Sequence, residues 1–124
     1  MRLIDSYGWI EYFTDGPLAK KYAPYIETAD ASNTLTPTIV VYEVYKALKQ
    51  KRGEQVALEA YAQITATDVV PLNGNLALGA ADASLATGLA MADAIIYSTA
   101  KAYSAELVTS DKHLKPLEGV KFIG

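Results

Sequence analysis

The sequence predicts an α/β fold, a three-layer sandwich with a central, mostly parallel five-stranded sheet. Short apolar runs of strand length alternate along the chain with longer stretches of helical period. Helices of about ten residues or more between such runs imply βαβ crossovers rather than hairpins. With 124 residues, 51% of them hydrophobic, there is material for one buried core, so residues 1–124 are expected to form a single domain.

Arg2 to Asp5 is the first strand and Ser6 to Phe13 a brief helix, which stops at the turn signal Asp15-Gly16-Pro17. Leu18 to about Thr28 reads as a second helix, and Thr34-Leu35 as a very short second strand. Thr36-Pro37 resembles a helix start, a hydroxyl at the N-cap and proline at the first helical position, for a helix running to Arg52-Gly53. Gln55 to about Ala66 is the next helix and Asp68 to Leu72 the third strand. Asn73-Gly74 breaks the chain before an alanine-rich helix, Leu76 to Thr87, which Gly88 ends. Another helix runs from near Met91 to about Ser104, with a stripe of Ala92, Ile96, Thr99 and Tyr103. Glu106 to Thr109 and Val120 to Ile123 are the last two strands. No repeat, linker or low-complexity segment interrupts this order.

Composition narrows the functional classes. The chain has no cysteine, so it has neither a disulfide framework nor a thiolate metal site, which suits a reducing cytoplasm. No apolar run approaches the roughly 18 to 20 residues that span a bilayer, and MRLIDSYGWIEYF lacks the form of a signal peptide. A cytoplasmic protein without membrane attachment is expected. The net charge of −3 argues against an all-over basic grip on nucleic acid, so any polyanion partner requires a local source of positive charge.

Four carboxylates stand out. Glu43 lies on or beside the apolar stripe Val40, Val44, Ala47 and Leu48 of its helix, and Asp93 occupies the first turn of a helix that otherwise reads as buried. Asp5 and Asp111 each follow a strand. Ligands of open parallel sheets bind beyond the carboxyl ends of the strands, where strand order reverses, so adjacency of the first and fourth strands would bring Asp5 and Asp111 together. Each acid also has a plainer role open to it. Asp5 and Asp111 would cap the segments after them, Asp93 would favour a helix dipole, and Glu43 would pair with Lys46 one turn on.

Two carboxylates about 5 Å apart repel by roughly 3 kcal/mol at an effective dielectric near 20, so four in one cleft need a cation or retained protons. A hard divalent ion with oxygen ligands is the natural partner. The chain's one histidine, His113, reads as a surface or loop residue rather than a ligand. Ser6 and Thr109 neighbour the acids and can hydrogen-bond them or serve in turns. Lys46, Lys49, Lys51 and Arg52 at one helix end, and Lys112 and Lys115 beside Asp111, could guide a phosphate backbone, and Tyr7 or Trp9 could stack on a base.

The order Asp5, Glu43, Asp93, Asp111 resembles the acidic signature of PIN domains, and among them the VapC toxins of bacterial and archaeal toxin-antitoxin pairs. The matching motifs are IDSYGWIEYF, TPTIVVYEVYKAL and GLAMADAIIYSTAKAYSAELVTSDKHLKPLEGVKFI. Ala19 to Ser32 and Gly53 to Ala83 carry no such motif. The resemblance implies a Mg²⁺- or Mn²⁺-dependent endoribonuclease acting on RNA of the transfer or ribosomal class, inhibited by a VapB-like antitoxin and forming a homodimer. Asp5 and Asp93 would be the most direct ligands, with Glu43 and Asp111 completing the set. A phosphorelay receiver would want paired acids after the first strand and a lysine after the last. A haloacid dehalogenase would want a second aspartate at position 7, where tyrosine stands. The remaining rival is a non-catalytic interaction module with the same fold.

Overall fold

The computed structural model describes residues 1–124 and orders the elements as β1 (Arg2–Ile4), α1 (Ser6–Phe13), α2 (Ala19–Glu27), β2 (Thr34–Pro37), α3 (Thr38–Arg52), α4 (Glu54–Ile64), β3 (Asp68–Val70), α5 (Gly74–Thr87), α6 (Met91–Ala102), β4 (Glu106–Thr109) and β5 (Val120–Phe122). The five strands form one sheet in the order β3-β2-β1-β4-β5, and every pairing is parallel. The expected α/β sandwich is therefore present, with a sheet that is wholly rather than mostly parallel. Crossovers run outward from β1 through β2 to β3, then jump back over β1 to β4. With right-handed crossovers, that reversal places α1–α4 on one face and α5–α6 on the other. The helix contacts agree, α1 packing on α2, α3 and α4, and α5 on α6.

The core follows from the pattern of apolar residues. Leu3, Ile4, Leu35, Leu107 and Val108 fill the sheet's interior, and the stripe Val40, Val44 and Leu48 of α3 is buried as its spacing predicts. Asn73 caps α5 by accepting from the backbone N–H of Leu76 at 2.9 Å, and Gly88 ends that helix at φ +76°, a conformation that favours glycine. No helix is long and apolar enough by itself to cross a membrane.

Three local expectations are corrected. Thr36 and Pro37 do not open α3 as N-cap and first helical residue. Both belong to β2, opposite Val69 and Val70, and Pro37 itself occupies the N-cap position. The Thr36 hydroxyl is instead buried against that of Thr67 at 2.7 Å, a pairing made possible by the β2–β3 ladder. In α6 the expected single stripe is replaced by burial of every residue from Ala94 to Ala100, because the helix packs on α5, α3 and β4, while Tyr103 is left exposed past its end. Trp9, considered for base stacking, is fully buried in the core.

Close packing of α1 on α2 depends on Gly8. A Cβ there would stand 2.5 Å from Cε1 and 2.6 Å from Cδ1 of Tyr22, and 2.9 Å from Cγ2 of Ile4. Gly8→Ala is expected to cost about 1–3 kcal/mol through overpacking. Urea unfolding would show this as a lower midpoint at constant slope, and an unchanged midpoint would mean that α2 shifts freely.

Candidate metal centre

Asp5 leaves the end of β1 and enters α1. Its backbone N–H donates to Val108 O at 2.9 Å, extending the β1–β4 ladder by one bond. Its carboxylate is almost wholly buried, and both of its oxygens are hydrogen-bonded. Oδ1 accepts from the Ser6 backbone N–H at 2.7 Å and faces the Ser6 hydroxyl at 3.3 Å, and Oδ2 accepts from Thr109 Oγ1 at 2.7 Å. The capping role and the cleft position coincide in this residue.

The Ser6 hydroxyl also donates to Glu43 Oε1 at 3.0 Å, so one proton serves two carboxylates on different helices. Glu43 is half-buried from α3, and Lys46 does not pair with it. The Lys46 ammonium instead donates to Tyr42 Oη at 3.2 Å and lies over that ring. Thr109 does double duty, its hydroxyl donating to Asp5 and accepting from the Asp111 backbone N–H at 3.0 Å. Asp111 Oδ1 in turn accepts the backbone N–H of His113 at 2.8 Å, the turn-capping role open to it, and faces the His113 ring Nδ1 at 3.1 Å. Asp93 projects from the first turn of α6, three residues after an N-cap, Ala90, that makes no side-chain bond.

The electrostatics join all four acids. Asp93 is pushed up to about 7, chiefly by burial, then by its hydrogen bond to Asp111 and the charges of Asp111, Asp5 and Glu43. Burial raises Asp5 against the opposing hydrogen bonds of Thr109 and Ser6, with Asp111 adding to the rise. Glu43 is raised by burial, with Ser6 opposing and Asp5 contributing. No lysine or arginine forms an ion pair with any of them. The one ion pair made by a lysine or arginine in the chain is Lys49–Glu54. A set of oxygen donors that desolvate and repel one another without a protein cation fits a hard divalent ion.

Asp5, Asp93 and Asp111 line a cleft of about 580 Å³ beyond the carboxyl ends of β1 and β4, where strand order reverses, and Glu43 joins them from behind Ser6. Tyr7, nearly half exposed, and Lys112 stand on its wall. The other cations considered lie elsewhere: Lys49 pairs with Glu54, Arg52 reaches Thr14 O, and Lys115 lies over Phe122. From the sequence His113 reads as a surface or loop residue. It is exposed, yet its ring joins Asp93 and Asp111 in a group whose potential ligand atoms all lie within 4.8 Å of one another. An acidic residue two positions before a histidine in a turn was the available signal.

Fold and cleft together define a parallel α/β domain with a carboxylate cluster at its switch point. The chain belongs to the PIN domain family, whose profile matches residues 2–119. Similar solved structures include a toxin-antitoxin complex from Klebsiella pneumoniae, at 22% identity and TM-score 0.83, covering 100% of this chain and 98% of that one. VapC20 of Mycobacterium tuberculosis, described as a sarcin-ricin loop cleaving toxin, is 14% identical with TM-score 0.78 and 94% of each chain covered. VapBC2 from Rickettsia felis, bound to a DNA fragment from its promoter, is 16% identical with TM-score 0.76, covering 99% of this chain and 98% of that one. At these identities the likeness is one of fold. No curated protein matches the sequence.

The raised carboxylates set the pH dependence of the metal-free fold. Asp93 keeps its proton in the folded state up to about pH 7 and loses it in the unfolded chain near 3.8. Its contribution is therefore fully present below about pH 4 and is lost as pH rises through about 7, and Asp5 and Glu43 act in the same direction. With chelator present, the melting temperature is expected to fall over this window. Asp93→Asn should flatten the slope and leave the protein at least as stable at neutral pH. A clear drop in its melting temperature would instead assign Asp93 to holding the start of α6.

Proposed function

We propose that this chain is a metal-dependent endoribonuclease, the toxin of a toxin-antitoxin pair of the VapC kind. The observation that carries the proposal is the meeting of Asp5, Glu43, Asp93 and Asp111, from four separate elements, with no lysine or arginine between them. Membership of the PIN domain family and the toxins among its structural relatives support it.

In this reading the four acids hold one or two Mg²⁺ or Mn²⁺ ions, Asp5 and Asp93 most directly. When bound, the ion supplies Lewis acidity, lowering the pKa of a water nucleophile and offsetting charge on the phosphoryl group and leaving oxygen. The chain's own residues do the positioning. Thr109 and Ser6 fix both oxygens of Asp5, and Ser6 restrains Glu43, so the inner carboxylates need little reorganisation when the ion enters. Asp93 gives up its retained proton on metal binding. Lys112 supplies local positive charge at the cleft wall, and exposed Tyr7 offers a face on which an unpaired base can stack.

The substrate would be RNA of the transfer or ribosomal class, one of the structural relatives being described as cleaving the sarcin-ricin loop. The partner would be an antitoxin protein, as in the complexes among those relatives. We further infer a homodimer and a cytoplasmic setting.

Cleavage of transfer RNAs and ribosomal fragments in Mg²⁺, Mn²⁺ or EDTA, with wild type beside Asp5→Asn and Asp93→Asn, tests the proposal. Discrete metal-dependent cuts are expected, and each variant should lose at least the 10–100-fold typical of an outer-sphere change, that is, about 10²-fold or more. Equal activity in all three proteins would expose a contaminating ribonuclease. Absence of both cleavage and Mn²⁺ binding would favour the interaction module.

A further inference from the structure

Within the cluster Asp5 is buried, Glu43, Asp93 and Asp111 are half-buried, and His113 is exposed. Asp5 and Glu43 are joined through Ser6, while Asp93, Asp111 and His113 form a second group, its outer half. We propose that His113 is a nitrogen ligand of this outer half and that it gives the centre a preference for Mn²⁺ and Co²⁺ over Mg²⁺. The inference rests on the metal-centre reading above.

Distances carry the first part. Ligand atoms about 2.1 Å from an octahedral ion stand about 3.0 Å apart when adjacent and about 4.2 Å apart when opposite. His113 Nδ1 lies 3.1 Å from Asp111 Oδ1, a hydrogen-bond contact in the metal-free chain that matches the spacing of adjacent ligands once the Nδ1 proton is given up. Asp93 completes a set whose mutual separations stay within 4.8 Å, a span that one ion bridges with little adjustment.

The turn fixes the backbone of residue 113 beside Asp111. Asp111 Oδ1 accepts the His113 N–H at 2.8 Å, and Leu114 N–H donates to Asp111 O at 3.1 Å, folding the turn back on itself. Leu114 is fully buried and anchors the residue after the histidine. An exposed side chain is thus held over the cleft by its own turn, and residue 113 is brought back to residue 111. To ligate, the imidazole presents a lone pair at Nδ1 and carries its proton on Nε2.

Ligand chemistry carries the second part. Mg²⁺ prefers oxygen and keeps several waters, so replacing one of its waters by imidazole yields little. Mn²⁺ and, further along the Irving–Williams order, Co²⁺ bind nitrogen better, so one imidazole among carboxylates shifts selectivity toward them.

Isothermal titration of the whole chain with Mg²⁺, Mn²⁺ and Co²⁺, for wild type, His113→Ala and His113→Gln, tests the assignment without reference to activity. Both variants are expected to lose about tenfold in affinity for Co²⁺ and a clear part of that for Mn²⁺, with Mg²⁺ changed less than about twofold. Nitrogen coupling to bound Mn²⁺, read by pulsed electron paramagnetic resonance, should be present in wild type and absent in both variants. Equal affinities in all three proteins with no nitrogen coupling would overturn the role of His113 while leaving a carboxylate centre intact. A parallel loss for all three ions would make His113 a support for Asp111 rather than a ligand. Failure of wild type to bind any of the ions would remove the metal centre itself, and this inference with it.

Discussion

Because Ile4 lies opposite Val108 in a parallel pair, the next residue of each strand, Asp5 and Thr109, must also stand side by side. Both chains then leave the sheet in the same direction, which an antiparallel pair would not allow. From that register follow the Thr109–Asp5 bond, the Asp111 N–H held by the same hydroxyl, and the arrival of Asp111 at the cleft. Glu43 and Asp93 are delivered to the same place by helices from the two sides of the sheet. The β1–β4 pairing is the point at which crossovers change direction, so the gap above it is where no connection covers the strand ends.

Such a register concentrates like charge, and the fold keeps it there at a cost. Unlike a structural ion pair, the cluster contains no lysine or arginine to offset its repulsion, and Ser6 offers one proton to two carboxylates. Residues chosen only for stability would place apolar groups or a paired lysine at these positions. The core must supply the difference. Burial along Leu3, Ile4, Val108 and Leu107 in the central strands, together with Trp9 and Tyr22 beside them, surrounds the base of the cluster on the side away from solvent.

The architecture was legible because it depends on patterns the chain states locally. Strand ends at Asp5 and Asp111, with the reversal of strand order, were enough to place two acids. The spacing of Val40, Val44 and Leu48 was enough to turn Glu43 toward the interior. What stayed hidden depends on longer-range competition. Thr36-Pro37 has the local chemistry of a helix start, but pairing with β3 and the Thr67 hydroxyl draws both residues into the sheet. Tyr103 matched a stripe that α6 does not have, since burial on several sides erases the 3.6-residue signal. His113, two positions after Asp111, reads from the sequence as a surface or loop residue rather than a ligand. In the Asp111–Leu114 turn the same spacing returns the ring to the carboxylate.

An acidic chain that engages RNA must separate its attraction for the polyanion from its overall charge. At a net charge of −3 long-range steering is weak, and four of the eleven cations sit on the last three turns of α3 rather than in the cleft. Under the proposed function, positive potential at the cleft is therefore conditional, because apart from Lys112 it depends on ions held by the four acids. Without ions the cleft repels a phosphate backbone. With them it attracts one at the atoms where cleavage would occur, so binding and reactivity are conferred together. Substrate affinity in such a site is linked to metal affinity by the same carboxylates, and any residue that alters which ion is held, His113 among them, alters both.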